Sequence, residues 1–121
     1  MPSRPRRKDE RLEQVLRWLI AEYPPPFPVK LVFSKLTDSM AECYELDGDR
    51  RRCIYIALDP RRRLADQIQD LLHEYAHALT WPVTERQFDM QDEHPPTFWA
   101  AYGEVYTAFY DKDGCLFSSD Y

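Results

Sequence analysis

The chain has 121 residues, of which 44% are hydrophobic and 31% charged, and its net charge is −5 at pH 7. A chain of this length forms one domain and buries about two-thirds of the surface that its unfolded form exposes. No stretch approaches the roughly 18 consecutive apolar residues of a membrane helix. The basic N-terminus also lacks the apolar core of a signal peptide. We therefore expect a disordered basic tail over residues 1–8 and a single soluble domain over residues 9–121, with no membrane partner.

The cysteines indicate the redox compartment. The chain has an odd number of cysteines, Cys43, Cys53 and Cys115, and no two of them form a C-x-x-C pair. This pattern argues against a disulfide framework or a zinc ribbon and favours a reducing cytoplasm.

The first predicted element is an amphipathic helix. Asp9 and Glu10 place acid at its N-terminus, where negative charge suits the helix dipole. Its apolar residues recur at helical spacing: Leu12, Val15, Leu16, Leu19 and Ile20. The helix continues to about Glu22 and ends at the prolines of residues 24–26.

Three strands are predicted next. The first begins at Val29 with alternating residues, the second and weaker one spans Met40 to Leu46, and the third is the apolar run Cys53 to Leu58. Asp47-Gly48-Asp49 is typical of a hairpin turn between the last two. We expect a small, mainly antiparallel three-stranded sheet with Ile54, Ile56 and Leu58 facing the core. The third strand could bind an extended substrate if it lies at the sheet edge.

Two further helices complete an α+β fold. One is predicted from about Arg61 to Leu79, with Asp59 as N-cap and Pro82 as terminator. A polar loop follows over residues 82–93. The last helix starts after His94-Pro95-Pro96, because proline is favourable in a first helical turn. It carries most of the remaining aromatic residues: Phe98, Trp99, Tyr102, Tyr106 and Phe109.

The chemistry lies in the motif His73-Glu74-Tyr75-Ala76-His77. On a helix, His73 and His77 stand one turn apart, with Cβ atoms about 5–6 Å apart. Two imidazoles at this spacing can both reach one Zn²⁺ at about 2.0–2.1 Å. Glu74 can then serve as the general base that takes a proton from a metal-bound water. The motif therefore predicts a catalytic zinc site.

A catalytic zinc usually has three protein ligands and one open position. Thr80 and Val83 stand where the metzincin pattern needs Gly and His, so that class is excluded. His94 is the one remaining histidine. The alternative is Glu104, which would make the site a gluzincin with a downstream glutamate ligand.

The motif and the later segment Asp92-Glu93-His94-Pro95-Pro96-Thr97-Phe98-Trp99 together resemble the SprT-like zinc metallopeptidase domain, especially its short phage-type members. Pro95 stands where that family usually has glycine. The resemblance implies a zincin-like fold, with His73, His77 and His94 as zinc ligands and Glu74 as the catalytic base. It also implies a host-cytoplasm location if the protein is phage-encoded.

The favoured function is zinc-dependent hydrolysis of peptide bonds in a protein or peptide substrate. A tyrosine could donate a hydrogen bond to the oxyanion, and four are chemically suitable: Tyr75, Tyr102, Tyr106 and Tyr110. The alternative function is a zinc-stabilised, non-catalytic domain that binds a partner or nucleic acid. Its basis is the two arginine triplets of residues 50–52 and 61–63, which bracket the third strand. The sequence leaves the oligomeric state open.

Overall fold

The computed structural model describes residues 7–37, 39–46, 52–81 and 96–113. Its elements in chain order are α1 (Arg7–Glu22), β1 (Val29–Phe33), β2 (Ala41–Glu45), β3 (Ile54–Leu58), α2 (Leu64–Leu79) and α3 (Pro96–Ala108), which continues into a π-helical turn (Phe109–Asp113). The α+β class and the order of helices and strands are confirmed. The expected hairpin turn at 47–49, the loop at 82–93 and His94 lie outside the described residues.

The three strands form one sheet in the order β1-β3-β2. β1 pairs with β3 in parallel, with Val29 opposite Ile54, whereas β2 pairs with β3 antiparallel, with Glu45 also opposite Ile54. The sheet is therefore mixed rather than mainly antiparallel. β3 is the central strand, so the expectation that it could serve as a substrate-binding edge is wrong. The two edge strands of the described sheet are β1 and β2, and β2 also contacts α2.

One face of the sheet carries the core. Ile54, Ile56 and Leu58 are fully buried, as their alternation predicts. The helices supply the other side of this core through fully buried residues of α1 and α2: Leu12, Val15, Leu19, Ile68, Leu71 and Leu72. Complete burial of one such side chain contributes about 1.5–3 kcal/mol, so α2 is held firmly under the sheet.

The turn between β3 and α2 differs from the expectation that Asp59 caps the helix. α2 begins at Leu64, and its N-cap position is occupied by Arg63, which makes no side-chain capping bond. Asp59 instead accepts hydrogen bonds from the backbone N–H of Arg61 at 3.0 Å and of Leu36 at 3.1 Å. Its short side chain closes the turn after β3, which is a common role of aspartate before a helix.

Two long-range contacts hold this turn in place. The Lys8 ammonium of α1 donates to the carbonyls of Pro60 at 3.0 Å and Arg62 at 2.7 Å. The buried Gln67 amide donates to the Asp59 carbonyl at 3.0 Å. The start of α2 is thus fixed by α1 and by the end of β3, which determines the position of the motif about two and a half turns later.

α3 packs against α2 through Phe98 and Val105, both buried. Phe109, in the π-helical turn, is also fully buried and joins the core. Trp99 and Tyr106, by contrast, are exposed. None of the described helices has the length and apolar character required to cross a bilayer.

Candidate metal and catalytic site

The motif at residues 73–77 lies in the second half of α2, so its helical geometry is confirmed. The rings of His73 and His77 have centroids 5.1 Å apart and an interplanar angle of 65°. Glu74 and His77 are nearly buried, at 8% and 7% exposure. Two imidazoles and one carboxylate are therefore gathered on little more than one turn of a buried helix.

Phe98 of α3 holds the two imidazoles in place. Its ring stacks on His77 with centroids 4.2 Å apart and meets His73 edge-on at 5.0 Å. Tyr102, one turn further along α3, contacts the His73 ring at 5.3 Å. Because each ring is packed against an aromatic neighbour, neither imidazole can turn freely about its side-chain bonds.

A pocket of about 240 Å³ opens beside the motif. It is lined by residues of three elements and of the segment before β2: Met40, Ala41, Gln69, Asp70, His73, Glu74 and Tyr102. One imidazole and two carboxylates thus face a space large enough for part of a substrate. Convergent polar groups in such a cleft are typical of an active site.

Asp70 is the second acid of the pocket, one turn before Glu74. Burial raises the pKa of its carboxyl, although the guanidinium of Arg62, at 2.6 Å, acts in the opposite direction. Burial, followed by the nearby Tyr106 and Asp70, also raises the pKa of Tyr102. The Tyr102 hydroxyl therefore stays protonated and can donate a hydrogen bond into the pocket.

Cys43 of β2 lies close to Glu74 of the candidate motif. Burial, together with the charge of Glu74, raises the pKa of its thiol well above the ordinary value. A thiol in this state is a poor nucleophile at neutral pH, because nucleophilic attack requires the thiolate. Cys43 is thus best described as a packing residue next to Glu74.

The two candidates for the third zinc ligand are His94 and Glu104. His94 lies outside the described residues, and Glu104 is exposed on α3. Among the described ranges, no three His, Cys, Asp or Glu side chains converge as a metal-binding group. The part of the chain with described coordinates therefore supplies two histidines, and the exposure of Glu104 speaks against the gluzincin alternative.

The four tyrosines considered as oxyanion donors lie in different surroundings. Tyr75 is fully buried, and its hydroxyl donates to the Tyr23 carbonyl at 2.7 Å, which ties α2 to the end of α1. Tyr102 lines the pocket. Tyr106 and Tyr110 follow further along the chain and are not among the pocket-lining residues.

The described arginines of the two triplets are each bonded to an acid. Arg61 contacts Asp59 at 2.6 Å, Arg62 contacts Asp70 as noted above, and Arg63 contacts Asp66 at 3.4 Å. In the first triplet, Arg52 is paired with Glu45 at 3.0 Å. Guanidinium groups engaged with carboxylates are less available to phosphates, so these contacts weaken the basis of a nucleic-acid interface.

Sequence reasoning did not identify Asp70, Ala41 or Met40 as site residues. For Asp70 a signal was present, since it precedes His73 by three positions and so shares its helical face. For Ala41 and Met40 no local pattern exists, because only the sheet order brings the start of β2 beside α2.

No protein-family model matches this chain, and neither a curated protein nor a solved structure is significantly similar to it. Any function assigned to this protein therefore rests on the residues and geometry of the pocket.

Proposed function

We propose that this protein is a zinc-dependent peptidase of the SprT-like, zincin-like type, acting in the cytoplasm. The observation that carries the proposal is the paired arrangement of His73 and His77, 5.1 Å apart, beside a pocket lined by His73 and Glu74. A helix that merely packs against the core has no need for a pair of histidines of which one, together with an acid, lines an open cleft.

The donor set suits Zn²⁺. His73 and His77 would supply two imidazole nitrogens, and His94 is the proposed third ligand. Zinc accepts nitrogen ligands in a four-coordinate arrangement with one position left for water or substrate. When bound, it would lower the pKa of a water molecule and polarise a carbonyl group.

Glu74 performs the proton transfers in this proposal. Its carboxylate accepts a proton from the attacking water and later gives it to the leaving amine, which is the role of a general acid–base group. The near-burial of Glu74 excludes competing bulk water and strengthens its interactions. The Tyr102 hydroxyl is the pocket's tyrosine donor for a developing oxyanion.

The edge strand β2 offers a place for the peptide backbone. It pairs with β3 on one side, and Ala41 at its start lines the pocket with His73 and Glu74. An extended peptide could add to the other side of β2 through backbone hydrogen bonds, which supply affinity without selecting side chains. This assigns to β2 the role that the sequence had suggested for the third strand.

The peptidase is preferred to the non-catalytic zinc-stabilised domain for two reasons. A purely structural zinc site needs no carboxylate at the position of Glu74 facing an open pocket. Of the arginines that motivated a DNA-binding surface, the four that the structure describes, Arg52 and residues 61–63, have carboxylate partners, and residues 50–51 lie outside the described part of the chain.

Glu74→Gln tests the proposal. The variant should keep one zinc per molecule and an unchanged fold, because it removes a base and no ligand, and hydrolysis of a disordered protein substrate should fall by at least about 10²-fold. Glu10→Gln, the same change at an exposed position of α1, is the matched control and should retain full activity. Undiminished turnover in Glu74→Gln, or a wild-type protein that takes up no zinc, would refute the proposal.

A further inference from the structure

Large apolar side chains are exposed at few places in the described residues. They are Met40 at 62%, Leu46 at 53%, Trp99 at 55% and Tyr106 at 40%. Single exposed apolar residues are ordinary, but a group of them at one place marks a binding surface. Of these four, Met40 lines the candidate pocket, and Trp99 and Tyr106 pack beside Tyr102, which also lines it.

The group has a defined geometry. Met40 and Tyr102 both line the pocket. The Tyr102 ring lies 6.3 Å from Trp99 and 5.8 Å from Tyr106. These three aromatic residues occupy positions i, i+3 and i+7 of α3 and so form one stripe along the helix. We call Met40, Trp99, Tyr102 and Tyr106 the apolar rim.

The charges around the apolar rim indicate its occupant. Aromatic stripes can stack the bases of single-stranded nucleic acid, but such sites also need positive charge along the backbone. α3 contains one acid, Glu104, and neither lysine nor arginine, and the π-helical turn after it adds two acids and one lysine, Asp111, Asp113 and Lys112. The pocket adds Asp70 and Glu74. A polyanion is disfavoured here, whereas an uncharged apolar side chain is not.

We propose that the apolar rim is a specificity subsite that binds a large aliphatic or aromatic side chain of the peptide substrate next to the scissile bond. The proposal rests on the peptidase function, because the rim residue Tyr102 contacts both Trp99 and His73. A side chain bound at the rim would therefore lie next to the proposed zinc ligand. Such side chains are accessible in unfolded or extended segments, because folded proteins bury them. Apolar stretches of unfolded protein are thus the substrate class.

Two measurements test the subsite. In the first, cleavage sites in a disordered protein are mapped by mass spectrometry, and kcat/KM is measured for peptides that differ only by Phe or Ser beside the mapped bond. Wild type should prefer the Phe peptide, and Trp99→Ala combined with Tyr106→Ala should reduce this preference by about tenfold, as expected for loss of a central aromatic contact. Leu46→Ala, a similarly exposed apolar residue that follows the far end of β2 from Met40, is the control and should keep the preference.

The second measurement uses binding alone. In the Glu74→Gln background, the Phe peptide should change tryptophan fluorescence more strongly than the Ser peptide, and the change should disappear in Trp99→Ala. Cleavage without side-chain preference, a preference unaffected by the rim substitutions, or tighter binding of a single-stranded oligonucleotide than of the Phe peptide would each overturn the subsite while leaving the peptidase intact. If wild type hydrolyses nothing, the peptidase proposal fails, and the titration then decides whether the rim binds peptide.

Discussion

Phe98→Leu separates the positioning of the histidines from the packing of the core. Phe98 is fully buried, and its ring contacts both His77 at 4.2 Å and His73 at 5.0 Å. Leucine fills less of the space and cannot stack on an imidazole. Loss of packing and of the aromatic contacts should cost about 1–3 kcal/mol of the free energy of unfolding. For a domain of this size, each kcal/mol corresponds to roughly 4 °C in Tm.

The matched control is Phe109→Leu. Phe109 is equally buried in the neighbouring π-helical turn, but its ring contacts Trp18 at 5.7 Å and Tyr110 at 4.9 Å rather than the histidines. This substitution should cost similar stability and leave the imidazoles undisturbed. The two variants therefore differ mainly in whether the proposed ligands keep their orientation.

Zinc affinity distinguishes the two variants. Phe98→Leu should weaken zinc binding by about 10–100-fold, the usual cost of losing a group that orients a metal ligand, whereas Phe109→Leu should not. Affinity is measured by competition with a chromophoric chelator, and stability on the zinc-free proteins, so that metal binding does not add to the unfolding free energy. Equal zinc affinities in two equally destabilised variants would refute the positioning role of Phe98.

Two other predictions concern the third ligand and acid stability. His94→Ala should lower zinc affinity by orders of magnitude, whereas Glu104→Ala should leave it within about 10–100-fold; the opposite order in a chelator titration would make the site a gluzincin. Hydrogen bonds from Arg61 hold the pKa of Asp59 well below its ordinary value of 3.8. The charged Asp59 carboxylate therefore stabilises the fold above about pH 4 and loses this contribution as the pH falls towards its lowered pKa. Asp59→Asn should flatten the dependence of unfolding free energy on pH below about pH 5, and parallel curves for variant and wild type would contradict this.

The sequence predicted the helices and strands well because each has a strong local pattern. The helical spacing in α1 and the placement of the histidine motif on α2 both follow from residues close in sequence. The pairing of β1 with β3 does not, since it joins segments more than twenty residues apart. One local signal was available: the run Ile54–Leu58 is apolar almost throughout, with Ala57 buried as well, which is typical of a central strand rather than an edge.

The role of Asp59 illustrates a second limit of local patterns. An aspartate before proline and a helical run is typical of an N-cap. The sequence alone cannot show that the Arg61 guanidinium will donate hydrogen bonds to both oxygens of this carboxylate. That bidentate contact and the bond from Leu36 place the acid in the turn, so the helix starts at Leu64 without a side-chain cap. The pocket itself depends on the same kind of non-local arrangement, since Ala41 and Tyr102 are far apart in sequence, in β2 and α3.

The sheet order has a consequence for local opening of the structure. β3 is hydrogen-bonded on both sides and leads directly into α2, so the helix that carries His73 and Glu74 is anchored to the strand whose release requires the most extensive unfolding. Among the described strands, β2 is bonded to β3 alone, and it can separate from β3 at a lower free energy. The proposed catalytic groups and the proposed peptide-binding strand therefore belong to cooperative units of different stability. β2 can therefore shift to fit a bound peptide while the imidazoles and the carboxylate on α2 keep their positions.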